Sequence, residues 1–439
     1  MDLNFETAGV NIESNKATEI ATPKNICKDM SDLFDYTDCN KKIWMDLRCK
    51  TGNTLEALLN NGVSRNNIVA ICDNKQSQML VCRKLYGEIL PEIEVTINQT
   101  SLKAYTVTRR GQIYWVSDWK NKVKEDKHNV NNLIKGVILK EMEKTMSLEF
   151  TAEDREFGID NIIMNPPYNN DIYIDFVMLA KQIAKDSVVA ITPAKWQAKG
   201  GKNNELFRRN IVPYISDIEV YIDCGDIFNI RLQGGVAYYL IGKDKNESTN
   251  IVNHCERVKA FESNGIEVRH LDESKCFINN TTLYNICNKV GCFSDEFKSW
   301  KFGDIPVKNN YNVFATAVNT DAGGKTSFHI FSSDGKLTML APFTISKDTF
   351  FRSNDTKCFF TSINKYEAES FISWANTKFI RFMLLMRYCT YHNNNEESWS
   401  FVPDPGDFDH IFTDKEFYEK YNLTEEEIAI IESVIKDKK

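Results

Sequence analysis

From about residue 42 to residue 242 the sequence alternates between short apolar runs and segments with helical spacing, and this alternation restricts the fold more than any other feature. Residues 42–47, 67–72, 94–98, 161–164, 187–191, 218–222 and 236–241 read as strands. Helical spacing predicts helices over 25–34, from Gly52 through Leu58, over 76–86 with Gly87 as its stop, and over 172–184. Strands separated by helices need crossover connections, which produce a mostly parallel sheet with helices on both faces. Ligands of such sheets lie at the carboxyl ends of the strands, where Asp46, Asp73 and Asn165 fall. Residues 104–158 interrupt the rhythm with a hairpin across Arg109-Arg110-Gly111 and a polar, charged stretch.

Beyond residue 243 the pattern changes to strand-like runs such as 328–331 and 358–361, separated by Asn-, Gly- and Ser-rich turns. A helix is expected over 367–388, and another over 424–435 with Thr424 and Glu427 as a capping box. The chain thus reads as α/β, a Rossmann-like sheet followed by a smaller α+β unit. No apolar stretch approaches the ~20 residues of a membrane helix, and the start lacks a signal-peptide pattern, so a cytoplasmic protein without membrane contact is expected. The twelve cysteines include no C-x-x-C pair and predict reduced thiols and no metal. A net charge of −7 does not advertise a nucleic-acid binder, but phosphates respond to a local basic groove rather than to the sum.

The run Ile162-Ile163-Met164 ends in Asn165-Pro166-Pro167-Tyr168. This tetrapeptide suits alkylation of an amino nitrogen whose lone pair is delocalised into a π system. The Asn165 side-chain oxygen and the Pro166 carbonyl can each accept one N–H of such an amine, localising its lone pair. Pro166 and Pro167 fix φ and stiffen the turn. Tyr168 offers a face on which a flipped base stacks.

A methyl donor needs its own pocket, and the first strand leads into Asp46-Leu47-Arg48-Cys49-Lys50-Thr51-Gly52-Asn53. Asp46 can hold the α-ammonium of S-adenosylmethionine, and Gly52 lets the backbone approach. Asp73, after the second strand, can accept ribose hydroxyls or serve as an ordinary turn residue. Upstream, Thr22-Pro23 reads as a helix start and also as a donor contact.

In this order the motifs resemble the TaqI-like type II restriction-modification N6-adenine DNA methyltransferases of the γ motif order. The resemblance extends through Ile191-Thr192-Pro193-Ala194-Lys195-Trp196, Asp226-Ile227-Phe228 and Gly234-Gly235-Val236. It implies a catalytic domain over 1–242 with a polar insertion at 104–158, and a target-recognition domain over 243–439 with a helical tail. It also implies double-stranded DNA as partner, S-adenosylmethionine as donor, and transfer to a flipped adenine. A separate restriction endonuclease or a methyltransferase partner subunit stays open. Lys195, Trp196, Lys202, Arg208 and Arg381 are the candidate DNA contacts, with Lys199 and Arg209 beside them. The donor half departs from the family at Arg48 and Lys50, and residues 98–101, aligned with the end of its third strand, lack the acid that contacts the donor's adenine. Weak donor binding, a partner-dependent enzyme, or a non-catalytic DNA-binding subunit are therefore expected alternatives.

Overall fold

The computed structural model describes residues 21–89, 92–95, 105–108, 113–116, 118–125, 158–197, 201–228, 234–256, 258–271, 281–316, 336–337, 339–349, 356–387 and 396–438. Its strands in chain order are β1 (Trp44–Cys49), β2 (Ile68–Cys72), β3 (Glu92–Val95), β4 (Tyr105–Thr108), β5 (Ile113–Val116), β6 (Asn161–Met164), β7 (Ser187–Pro193), β8 (Ile215–Tyr221), β9 (Val236–Ile241), β10 (Thr249–His254) and β11 (Glu267–Arg269). They form one 11-stranded sheet in the order β11-β10-β8-β9-β7-β6-β1-β2-β5-β4-β3. From β5 through β2, β1 and β6 to β7 every neighbour is parallel. β9 inserts antiparallel between β7 and β8, and β10 returns parallel to β8.

Helices α1 (Lys24–Asp32), α2 (Asn53–Asn60), α3 (Lys75–Tyr86), α4 (Trp119–Glu125), α5 (Ile172–Ile183) and α6 (Lys202–Asn210) flank the sheet. Its central strands are buried on both faces, as the near-continuous apolar runs require. On one face Trp44, Cys49, Ile68 and Ala70 join Ile26, Leu55 and Val81 from α1, α2 and α3. On the other, Met45, Leu47, Ile162 and Met164 join Tyr173, Phe176 and Val177 from α5. α3 stops at Gly87, which takes φ 76, as its sequence predicts.

The third strand is a correction. Residues 94–98 were expected to follow β2 in the parallel sheet, but Glu92–Val95 is the outer edge strand, antiparallel to β4. The strand beside β2 is Ile113–Val116, the second arm of the expected hairpin. Its Ile-Tyr-Trp-Val run is apolar at every position, as a strand buried on both faces should be, whereas Glu92–Val95 alternates charged and apolar residues. The hairpin turn at Arg109-Arg110-Gly111 and most of 104–158 lie outside the described residues, as do 328–331, Lys199 and residues 98–101.

β10 and β11 carry the large sheet past residue 242. After α7 (Thr281–Val290), the strands β12 (Tyr311–Thr316), β13 (Thr344–Ser346) and β14 (Thr356–Ser362) form a 3-stranded antiparallel sheet in the order β13-β12-β14. α8 (Lys365–Asn376) packs against it around Trp300, Phe371, Trp374 and Phe408; α9 (Lys378–Arg387) packs on α8, and α10 (Asp414–Lys420) and α11 (Glu425–Val434) pack on α9. The single helix expected over 367–388 is two helices. Thr377 turns extended (ψ 147) between them; its hydroxyl donates to the Trp374 carbonyl at 2.8 Å and accepts the Ile380 N–H at 3.3 Å. The capping box of α11 forms as expected.

Gly234 and Gly235 enter β9 with φ 82 and 68, Gly234 against Lys195 just past β7 and Gly235 against Tyr221 and Ile222 at the end of β8. A Cβ on Gly235 would lie 2.1 Å from the Tyr221 carbonyl oxygen. Gly235→Ala should therefore destabilise the protein by at least about 2 kcal/mol, through left-handed strain plus a backbone clash. Thermal unfolding of the variant checks this; an unchanged Tm would contradict it.

Candidate active site at the switch point

The sheet reverses direction of winding between β1 and β6: from β1 the chain proceeds outward to β2 and β5, and from β6 to β7 on the opposite side. Carboxyl ends that diverge at such a point leave a crevice, the place where open α/β sheets bind ligands. A narrow cavity of about 20 Å³ opens here, lined by Thr22, Asp46, Arg48, Lys50, Gly52, Asn165 and neighbours. It has room for about one water, so a donor-sized ligand requires its walls to part.

Asn165 leaves the end of β6, is buried, and donates from Nδ2 to the Thr22 hydroxyl at 2.9 Å. Pro166 and Pro167 are buried behind it. Tyr168 is half-buried against the cluster containing Ile191, Cys224 and Phe228, and its hydroxyl donates to the Ile191 carbonyl at 3.3 Å. Burial pushes the Tyr168 phenol pKa up, so it stays neutral. The following turn holds Asn170 and Asp171 at φ 51 and 60, and the Lys195 ammonium pairs with Asp171 across it.

Thr22 joins the two halves of the site. Its carbonyl accepts from Asn53 Nδ2 at 3.0 Å and from Cys27 Sγ at 3.6 Å, while its hydroxyl holds Asn165. Asn53 is the first residue of α2, and its other amide atom accepts from Lys84 of α3. Asn53 entered the sequence reading only as the last residue of the Asp46–Asn53 turn, and Lys84 not at all, because it reads as an ordinary polar residue on a helix surface.

Asp46 is buried in β1. Its Oδ1 accepts the Arg48 N–H at 2.9 Å, and its Oδ2 accepts the Thr54 hydroxyl at 2.5 Å. Burial pushes its pKa up to about 6, against the opposing effect of those two hydrogen bonds. Gly52 turns the chain into α2 with φ 75, and a Cβ there would press on Lys84 at 3.2 Å. A buried carboxylate, a glycine turn and an acid beyond β2 form a donor set suited to the amino-acid and ribose parts of a nucleoside donor.

Arg48 is itself buried, and its Nε lies 2.5 Å from Asp73 Oδ2. The ion pair engages the carboxylate expected to meet ribose hydroxyls. Asp118 follows β5, the strand beside β2, at φ 54; it is exposed, and its Oδ1 accepts from Asn121 Nδ2 at 2.8 Å. The next residue, Trp119, is buried and donates from its indole to the Leu47 carbonyl of β1 at 2.9 Å, tying this corner to β1.

The candidate DNA contacts divide. Lys202 is exposed at the start of α6, and Lys195 is engaged with Asp171. Trp196 and Arg208 are buried together, the Arg208 guanidinium donating to the Trp196 carbonyl. Arg381 is also buried, with Nε donating to the carbonyls of Asn376 and Thr377 at 3.0 and 3.2 Å. Trp196, Arg208 and Arg381 are thus engaged inside the fold. Near Arg381, Lys378 pairs with Glu432 and Asp437, and Arg387 with Glu397.

Among the described residues no group of three or more His, Cys, Asp or Glu side chains converges on a metal-sized site, and no helix is long and apolar enough to cross a membrane.

No family model matches the chain, and no curated protein matches it in sequence. Solved structures similar to it include a type I restriction-modification methyltransferase subunit from Streptococcus thermophilus, at 14% identity over 54% of this chain and 48% of that one, with a TM-score of 0.35. A putative class I S-adenosylmethionine-dependent methyltransferase from Listeria monocytogenes matches at 11% identity over 57% of this chain and 69% of its own, TM-score 0.33. The type IIG restriction endonuclease BpuSI matches at 12% identity over 95% of this chain and 62% of its own, TM-score 0.41. The chain thus spans about half the length of the first of these. At such identities and scores the likeness concerns the fold and says nothing of what this chain acts on; its own sheet order and site make it an α/β protein with a mostly parallel, Rossmann-like sheet.

Proposed function

We propose that this chain transfers a methyl group from S-adenosylmethionine to the N6 amine of an adenine flipped out of double-stranded DNA, as the modification activity of a restriction-modification system. The observation that carries the reading is the Asn165–Thr22 bond, which holds the amine-binding amide in the cavity that Asp46 and Gly52 also line. In this reading Asn165 Oδ1 and the Pro166 carbonyl accept the two N–H bonds of the target amine. That pull localises the nitrogen lone pair toward the donor side of the cavity. Tyr168 supplies the stacking face. When bound, the donor supplies an electrophilic methyl group. Asp46 would hold its ammonium, Asp73 its ribose hydroxyls once released from Arg48, and Asp118 its adenine amine.

A decisive test incubates the purified chain with donor labelled in the methyl group and unmodified duplex DNA, then digests the DNA to nucleosides. Label in N6-methyladenine is expected. Label in cytosine, or none under any partner condition, would overturn the proposal.

A second reading rests on the Arg48–Asp73 ion pair and the narrow cavity that Lys50 also lines. Here the isolated chain binds DNA but methylates only with a partner subunit that opens the donor side, or serves as a non-catalytic subunit. Label that appears only when a second chain is added favours partner dependence.

The donor step also carries a pH signature. Asp46 must be ionised to hold an ammonium, and its carboxyl is raised to about 6. Donor affinity should therefore fall as pH drops through about 6 and level off above it, as calorimetry over pH 5 to about 8 would read. The same raised pKa works against the fold: stability from this group is present below the unfolded value and is lost as pH rises through about 6.

A further inference from the structure

A second cavity, of about 570 Å³, lies away from the switch point. α5 leaves the catalytic turn at Ile172 and runs back to Ile183, so residues 178–182 sit toward the amino edge of the sheet, opposite the proposed active site. The cavity lies between this end of α5, the last turn of α6, the short turn at Tyr214 and the loop after β9. Met178 and Leu179 give it an apolar wall. Three cations line it, Lys181, Arg209 and Lys245, and among the described residues its lining contains no carboxylate. In a chain of net charge −7 that is a marked local excess.

The cations are placed by the fold rather than scattered. Lys181 donates to the Asn210 carbonyl at 2.9 Å, and its ammonium lies 2.8 Å from the Tyr214 ring centroid. Lys245 rides on a loop pinned to the Tyr214 turn: the Gly242 N–H donates to the Tyr214 carbonyl at 2.9 Å, and the Asn246 N–H to the Pro213 carbonyl at 2.8 Å. Arg209 comes from the third side. Capping of helix carboxyl ends accounts for Lys181 on Asn210. It leaves Arg209 and Lys245 over, and among the described residues neither has a carboxylate within ion-pair range. Burial and the neighbouring Lys245 charge hold the Lys181 ammonium down to about 8, a cost that a bound anion would relieve.

We propose that this cavity binds a small phosphorylated anion, a polyphosphate chain free or carried on a nucleotide, with Lys181, Arg209 and Lys245 as its charge contacts. The volume falls in the range of small-molecule sites, and a concave pocket suits a compact anion better than an extended duplex. The proposal does not depend on the methyl-transfer reading: of its cations only Arg209 stands beside the candidate DNA contacts of the sequence, and none belongs to the Asn165 or Asp46 site.

The test is calorimetry of the full chain with inorganic tripolyphosphate, and separately with ATP, on the native protein, an Arg209→Gln/Lys245→Gln double variant, and Asp46→Asn. Both replaced cations are exposed, so the double variant should keep the native Tm. One saturable tripolyphosphate site per chain is expected, weakened at least about tenfold in the double variant. Asp46→Asn should leave it unchanged, which separates it from adenosine binding at the donor cavity. ATP bound more tightly than tripolyphosphate, with the same loss in the double variant, identifies a nucleotide ligand; equal affinity identifies the polyphosphate itself. The proposal is overturned by no saturable binding, by binding indifferent to the double variant, or by a duplex that displaces tripolyphosphate through these same residues.

Discussion

Asn165→Ala is expected to lower methyl transfer by about 10³-fold while leaving DNA binding and Tm close to native. A preorganised hydrogen-bonding group aimed at the reacting atoms is worth about 10²–10³ in rate, and Asn165 is preorganised by its bond to Thr22. Alanine removes the side-chain acceptor and leaves the Pro166 carbonyl to act alone, so the amine keeps its conjugation. The loss should appear in kcat rather than in KM for DNA, since the contact matters most as the nitrogen rehybridises. Thr22→Val separates positioning from chemistry. It keeps Asn165 but removes this one bond, so a smaller loss is expected, read again in kcat. An Asn165→Ala enzyme with more than about a tenth of native kcat would remove this residue from the mechanism.

Asp46→Asn is the second large effect, and it falls on the donor. Asparagine preserves shape and can still accept from Thr54, but it carries no charge for an ammonium. Donor affinity is expected to fall about 100-fold, a loss in keeping with a buried charge-assisted contact. Stability should move the other way. The carboxyl is raised to about 6 by burial, so above that pH the folded protein carries an ionised group it disfavours, and the neutral isostere relieves it. A variant as stable as native or more so at pH about 8, yet poor in donor binding, is the expected pair of results. Unchanged donor affinity would leave Asp46 as part of the fold alone.

The central sheet was legible because its strands are buried on both faces and therefore apolar throughout, as in Ile68–Cys72 and Asn161–Met164. The Asn165-Pro166-Pro167-Tyr168 turn stood out because its residue types answer a single chemical demand. Edge strands are harder to read. Residues 94–98 read as the third strand, whereas Glu92–Val95 is an antiparallel edge strand, and only pairing shows that Ile113–Val116 lies beside β2. That misplacement left Asp118 out of the sequence reading. Basic side chains misled for another reason. Arg208 and Arg381 look like phosphate contacts in sequence, but a guanidinium near a helix end often finds carbonyls inside the fold, as both do here. Nothing local distinguishes them from exposed Lys202; burial is set by distant packing.

Thr22 also has a thermodynamic consequence. It is bonded to Asn165 on the acceptor side and, through its carbonyl, to Asn53 at the donor turn, so neither half can rearrange without the other feeling it. If a duplex alters how tightly the donor is held through this link, the donor must alter the grip on the duplex by the same factor. The two substrates would then bind as each other's effectors, with one threonine as the hinge of their exchange.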